Sequence, residues 1–558
     1  MKKVFCLLLA AVLACSMLAG CGSSGTTEQS SGVNNEELSG QNDAGVTDKP
    51  AESNGYIKDQ IVVACTGVTS LTPWGTNNAT PGVYEVYEAL FECDSKAEMY
   101  PVLADANRGE FGGYDHEAGT GVYTVYIYDY IKDHNGNTVD ADDVVFSFNH
   151  QKDSETTSGW GDLQSVEATD ATTIVFTFAD EQNNLGELAN YWTRCFIVDE
   201  DSWKDSRSGL LSEMVGTGPY KMTDYVSASS LTIERNEDYW QTDESLRHQE
   251  QQANVQKIIY QFIDEAATRI LNLKSGDIDI SDDVASTDVT DFLDGAQYGD
   301  DYNVFTYMTK LISYLWCNCS EESICNDVNM RKAVFYAIDL DALVYLTGGT
   351  DTRGMTWATS YYSDYYTEWE QLDNYNTFAG DSDERSKIVQ EYLDAAGYNG
   401  ESLVFLYQND MKDVATIVMN MLSNYGINTT AYGTDHTGAS TLEADPTGWD
   451  MEFGKWAGDY NVQAWLHAYS WENTAELDHT VNYIYDQEWE DNLNLVQTED
   501  GHTYENMTQW LETMYENGYG MNLFCGTNNI IYPSDITYIC RNDKLTVLPG
   551  GCVYEEAE

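Results

Sequence analysis

Short apolar runs alternate with amphipathic stretches from residue 57 to the end of the chain, the layout of an α/β protein. Ile61-Val62-Val63-Ala64 reads as a short buried strand. Val122 to Ile131 alternates Tyr, Val and Ile with smaller residues, and Asn135-Gly136 then offers a tight turn. Asp140 is placed to N-cap a helix over 142–150, with Asp143 in the first turn, where negative charge is favoured. A second β-rich run spans 172–178. Residues 266–274 predict a helix, Gly276 its left-handed C-terminus, and Ile278-Asp279-Ile280 the next strand. One long amphipathic helix is expected over 330–346, with Ala333, Ala337 and Ile338 on one face. Another spans 386–396 and is closed by Gly397. No short internal period recurs, which excludes a solenoid.

The first residues follow a different pattern. Lys2 and Lys3 precede an apolar run from Val4 to Leu18, too short to span a bilayer with ordinary flanks, and Leu18-Ala19-Gly20-Cys21 closes it. Residues 1–20 therefore read as a secretory signal peptide, outside the fold. A small-residue cleavage site followed directly by cysteine resembles the lipobox of bacterial lipoproteins. That resemblance implies that Cys21 becomes the lipidated, palmitate-bearing N-terminus, held to the membrane by acyl chains at about 0.8 kcal/mol per buried methylene. Residues 21–56 are rich in Gly, Ser, Thr, Asn and acids and cannot bury enough apolar surface to fold. As a flexible coil this tether spans roughly 30–35 Å. The expected location is the outer face of the cytoplasmic membrane of a Gram-positive cell. No other segment carries the 18 or so apolar residues a crossing needs.

Charge narrows the partners. The chain holds 27 Lys and Arg against 93 Asp and Glu, a net charge of −66. Nucleic acid is excluded as a partner, because backbone binding needs a basic surface. Anionic head groups are disfavoured as a docking surface, which leaves the lipid anchor as the membrane contact. Twelve cysteines do not make a disulfide scaffold. Cys6 and Cys15 leave with the signal and Cys21 carries lipid, so nine remain over a long body. Cys317, Cys319 and Cys325 cluster in sequence but lack the paired C-x-x-C spacing of structural zinc. Eight histidines occur without a metal-binding helix motif, so neither metal nor cofactor is expected.

An ordered series of motifs runs through the body. Thr69-Ser70-Leu71-Thr72-Pro73-Trp74, Tyr87-Glu88-Ala89-Leu90-Phe91 and Pro101-Val102-Leu103-Ala104 open it. Asp140-Ala141-Asp142-Asp143-Val144-Val145-Phe146-Ser147-Phe148, Gly216-Thr217-Gly218-Pro219-Tyr220 and Glu234-Arg235-Asn236-Glu237-Asp238-Tyr239-Trp240 follow. Lys274-Ser275-Gly276-Asp277-Ile278-Asp279 and the run from Asp327 to Asp339 complete it. Together these resemble the extracellular solute-binding proteins of ABC importers, family 5, which binds oligopeptides, dipeptides and nickel. The resemblance covers nearly all of residues 57–558 and thins over 350–380 and 470–510. It implies a two-lobed α/β clamshell of the periplasmic-binding-protein type II class (cluster C) with an extra inserted domain. Residues 57–94, 212–310 and 525–558 would build lobe I, 95–211 the insert and 311–524 lobe II. The chain would enter lobe II near Tyr314-Leu315-Trp316 and leave it near Asn522-Leu523-Phe524. Two crossings make a hinge, and a ligand that touches both lobes favours the closed state.

The segment Lys455-Trp456-Ala457-Gly458-Asp459-Tyr460-Asn461 resembles the stretch of oligopeptide-binding members where an aspartate receives the peptide's α-ammonium. On that match Asp459 is the ammonium anchor, Lys455 and Ala457 offer backbone groups, and Trp456 is an apolar wall. The chain departs from the family directly afterwards, reading Val462-Gln463-Ala464-Trp465 where an acidic-Pro pair is usual. Trp74 and Trp316 are further candidates as cleft aromatics, with core packing as the alternative fate of a tryptophan.

The implied function is a lipid-anchored, monomeric, non-enzymatic receptor that captures peptides and delivers them to permease subunits. The 40 tyrosines and 14 tryptophans also permit an oligosaccharide, since sugar-binding members stack sugars on aromatic faces. A secreted hydrolase using two carboxylates is the alternative of another class. A receptor that signals without feeding a transporter also fits this sequence.

Overall fold

The computed structural model describes residues 55–68, 70–74, 80–94, 99–153, 160, 162–179, 185–206, 209–285, 288–347, 352–353, 372, 374–375, 378, 380–457, 482–496, 501, 503–542 and 544–556. All of them lie in the second of the chain's two compact units, Gly45–Glu558. That unit is organised on an 11-stranded mixed sheet. Strand Ile61–Cys65 sits inside it, parallel to Lys257–Phe262 on one side and to Ile280–Val284 on the other. Its unbroken apolar run suits a position with neighbours on both edges and packing on both faces. Beyond Lys257–Phe262 the sheet continues antiparallel through Ser230–Arg235 to Tyr220–Val226.

Two long strands join the halves of this sheet. Tyr302–Cys317 and Gly520–Pro533 run antiparallel from the pair Tyr302↔Pro533 to the pair Trp316↔Gly520. Their register shifts between Met308 and Ile312. On the Tyr302 side Gly520–Pro533 is flanked by Ile280–Val284, through Ser281↔Ile531. On the Trp316 side Tyr302–Cys317 is flanked by Met451–Ala457, from Leu311↔Ala457 to Cys317↔Met451. Ser402–Gln408 and Asn428–Thr434 complete that end in parallel.

Hydrophobic burial follows the same division. A first core gathers Ile61, Val63, Ile258 and Ile280 with Ile530 and Tyr554. A second lies entirely within 314–524 and includes Leu315, Phe335, Phe405, Phe453, Trp489 and Trp510. The indoles of Trp489 and Trp510 stack there with centroids 5.0 Å apart, an offset pair that adds about 1 kcal/mol beyond its burial. A third core fills a four-stranded antiparallel sheet in the order Tyr114–His116, Val122–Tyr126, Thr173–Phe178, Leu163–Asp170.

Between the first and third cores the segment 83–92 carries three buried glutamates, each with a donor from elsewhere. Tyr260 donates to Glu85 at 2.5 Å, Trp240 Nε1 and the Tyr239 hydroxyl donate to Glu88, and Gln251 donates to Glu92 at 2.7 Å. Burial pushes the Glu85 carboxyl up to about 7 and raises Glu88 as well. The glycines of Gly216-Thr217-Gly218 allow this segment to be covered. A Cβ on Gly216 would sit 2.1 Å from the Val86 carbonyl oxygen, and one on Gly218 would sit 2.4 Å from that of Glu85.

Several local expectations are met in detail. Helix Ala141–Asp153 starts with Asp140 accepting from the Asp142 amide and Asp143 accepting from the Asp140 amide, both at 2.9 Å. Helices Ala266–Ser275 and Ser382–Ala396 end on left-handed Gly276 and Gly397. Other expectations need correction. The single helix expected over 330–346 is two helices, Val328–Ala337 and Leu340–Thr347. Ile338 is extended, Asp339 accepts from the Ala342 amide at 3.0 Å, and Arg385 donates to the carbonyls freed at Tyr336 and Ile338. The strand expected at 278 begins at Ile280, because the Asp279 carboxylate accepts the Val62 amide at 2.7 Å in place of a backbone carbonyl. The run from Val122 leaves regular strand at Tyr126.

Candidate functional site

Strand Met451–Ala457 delivers the candidate segment to the place where the chain passes between the first and second cores. Its register sets Ser313 opposite Lys455, Ile312 opposite Trp456 and Leu311 opposite Ala457. Ala457 therefore lies level with the shifted stretch Met308–Ile312 of the long strand. Lys455 Nζ reaches Asp410 Oδ2 at 3.0 Å, an ion pair at the end of Ser402–Gln408 that occupies the lysine's charge. Trp456 and Ala457 are placed by their backbone. Asp459 lies outside the described residues, as does Cys21.

The same strand carries a buried acid. Glu452 is fully buried, and Glu443 and Gln408 are the polar groups at its carboxyl. Burial first, and then the nearby Glu443 carboxyl, hold Glu452 well above the usual carboxylate range, which favours its neutral form. Tyr483 donates to the Glu443 carbonyl at 2.6 Å and fixes the end of helix His436–Glu443. Next along the strand, Gly454 lies under Tyr314, where a Cβ would meet the phenol oxygen at 2.1 Å. Tyr314 in turn stacks on Trp316 with ring centroids 4.0 Å apart and an interplanar angle of 17°.

The two candidate tryptophans are packed inside cores. Trp74 belongs to the first core, donates Nε1–H to the Phe196 carbonyl at 3.2 Å, and lies against His150 and Phe146 at 4.6 and 5.9 Å between centroids. Trp316 belongs to the second core, 3 % exposed, and its strand position faces Glu452 and Gly520. Of the six candidate ligand residues, Lys455, Trp456 and Ala457 share one strand and Trp316 lies on its neighbour. Trp74 sits apart from them.

The sequence did not point to Glu452 or to the contact between Gly454 and Tyr314. An acid one position before an apolar residue in a strand reads as a solvated face, and only the glycine inside a strand signalled a close approach. A cavity of about 360 Å³ opens at the other end of Met451–Ala457, beside Asp450, Asp327, Glu401, Ile324 and Met330, away from the candidate segment. Among the described residues no group of three or more His, Cys, Asp or Glu is placed to hold a metal ion, the 317–325 cysteines included. No helix among them is long and apolar enough to cross a membrane.

Comparison with known proteins adds to this geometry. The model describing the middle of the bacterial extracellular solute-binding proteins, family 5, matches residues 98–477. A probable peptide-binding protein, YejA of Agrobacterium fabrum, is 28% identical over 225 residues, covering 37% of this chain and 36% of its own. The chain thus spans about a third of the length of the first curated relatives it matches. The oligopeptide-binding protein AppA of Bacillus subtilis is 21% identical over 459 residues, 76% of this chain and 78% of its own. The structure of HbpA2 from Haemophilus parasuis superposes with a TM-score of 0.74 at 18% identity, over 89% of this chain and all of the other. The fold is that of the two-lobed, periplasmic-binding-protein-type solute-binding proteins.

Proposed function

Because this chain belongs to the bacterial extracellular solute-binding proteins of family 5, we propose that it is the lipid-anchored peptide receptor of an ABC importer. The observation that carries the reading is the course of Met451–Ala457, which brings Lys455-Trp456-Ala457 alongside the inter-core strand and leads into Asp459. The relatives named as peptide-binding support the ligand class.

In this reading 57–94, 212–310 and 525–558 form lobe I, 95–211 its insert and 311–524 lobe II. The two long strands are the hinge, and their register shift is where bending concentrates. The Asp459 carboxylate takes the peptide's α-ammonium, and backbone groups at Lys455 and Ala457 pair with the peptide main chain. Closure removes water from the carboxylate–ammonium pair, which strengthens it. The Lys455–Asp410 pair keeps the lysine's cation away from the ligand's ammonium. The receptor performs no chemistry on its ligand. Cys21 carries the lipid, and the tether over 22–56 holds a monomer near its permease on the outer face of the membrane.

The test is a pair of titrations of wild type and Asp459→Ala, each with a free-amine peptide and its N-acetylated form. The expected result is that the substitution weakens the free-amine peptide and leaves the acetylated one unchanged. Equal losses for both would remove Asp459 from the role of ammonium anchor.

A further inference from the structure

We infer that Cys540 and Cys552 are a disulfide-forming pair, a covalent site that closes the turn carrying Arg541. Strands Ile536–Tyr538 and Val553–Tyr554 pair antiparallel through Ile536↔Tyr554 and Tyr538↔Val553, which brings the chain leaving Tyr538 near the chain entering Val553. The Cys540 amide donates to Cys552 Sγ at 3.3 Å, and the Cys540 carbonyl accepts from the Leu548 amide at 2.9 Å. The Cys540 sulfur lies against the residue next to its partner, since a Cβ on Gly551 would be 2.6 Å from it. Cys552 Sγ lies 3.5 Å from the Leu548 carbonyl oxygen and the Leu548 amide donates to Cys540, so both cysteines converge on the same turn. Both thiols are free in the structure and completely buried.

Burial also fixes when the bond can form. It pushes the Cys552 thiol up to about 12 and raises Cys540 too, so the folded protein holds almost no thiolate at either sulfur. Exchange therefore belongs to the folding chain. One cysteine thiolate attacks a disulfide-bearing oxidant and releases one thiol. The second thiolate then displaces the mixed disulfide and releases another. The protein loses two hydrogens and two electrons, and the oxidant leaves as two thiols. Once the core closes, the same burial keeps reductants away.

The closed turn is a structural joint. Arg541 lies over Phe305 and Tyr307 of the long strand, at 4.3 and 5.0 Å from the ring centroids. The Gly550 carbonyl accepts from the Asn254 amide at 2.9 Å. A bond between 540 and 552 would hold this contact to the strand that passes between the cores. Only the supply of oxidant in the cell rests on the extracytoplasmic location proposed above.

The test refolds the reduced chain in a mixture of oxidised and reduced glutathione, alkylates free thiols and maps the peptides. The expected result is a Cys540–Cys552 linked peptide as the dominant bridge, absent from Cys540→Ser and Cys552→Ser. In those variants the remaining cysteine is alkylated. The bridge should resist dithiothreitol in the folded protein and yield on unfolding. Alkylation of both residues in the wild type, or joining of either to another cysteine, would overturn the inference, whether or not the serine variants fold. A bridge in the refolded chain with free thiols in the exported chain would support the pair and count against the location.

Discussion

Replacing Glu85 by glutamine should flatten the protein's pH dependence in a defined window. Glu85 is 2 % exposed, accepts a hydrogen bond from Tyr260, and has its carboxyl raised from 4.5 to about 7, with burial as the first cause. An unfolded chain releases that proton near pH 4.5, whereas the folded chain keeps it until about 7. Between those values the folded state binds more protons, so stability falls as pH rises and levels off above the folded value. Each unit costs about 1.4 kcal/mol, which makes the loss between pH 5 and pH 8 about 2.5 kcal/mol. Glutamine keeps an acceptor for Tyr260 and carries no proton to lose. Urea unfolding of both proteins at the two pH values isolates the effect, because the shifted groups Asp143, Asp282 and His134 titrate alike in both. Glu85→Gln should gain about 2.5 kcal/mol on wild type between pH 5 and pH 8. Parallel pH profiles, agreeing within about 0.5 kcal/mol, would refute the reasoning.

Other substitutions probe separate parts of the account. Gly454→Ala drives a methyl into the Tyr314 phenol, which is stacked on Trp316, and should cost about 1–3 kcal/mol by thermal or urea unfolding. Adding Tyr314→Leu to it should recover part of that loss, and an unaffected single variant would remove the proposed contact. Gly276→Ala places a Cβ at a φ of 74° and should cost about 1 kcal/mol, read as a lower urea midpoint. Cys21→Ala should shift the protein from the membrane fraction to the medium and abolish palmitate labelling.

Much of the local structure was legible in the sequence, because its causes are local. Gly276 and Gly397 end helices where only a left-handed residue fits, and Asp140 with Asp143 builds its capping box within four residues. The break at Ile338-Asp339 was not legible, since it depends on Arg385 arriving from another helix to take the freed carbonyls. The same holds for Asp279, whose side chain substitutes for backbone in the ladder to Val62. The long strands Tyr302–Cys317 and Gly520–Pro533 are paired across more than 200 residues of chain, and no local period announces that pairing. At the site, Lys455–Asn461 was picked out by family resemblance alone. Glu452 was passed over because a buried acid held neutral beside a second carboxyl has no signature in composition. Trp74 and Trp316 show the converse, as aromatic residues picked out for a cleft whose rings are enclosed by core packing.

The proposed receptor captures peptides and leaves them intact. Calorimetric titration of the mature, lipid-free chain against a pool of short peptides and a panel of oligosaccharides, with ligand recovered and weighed by mass spectrometry, tests it directly. Peptides should give saturable heat, sugars none, and every peptide should be recovered uncleaved. Saturation by oligosaccharides alone, or the appearance of cleaved products, would contradict this reading.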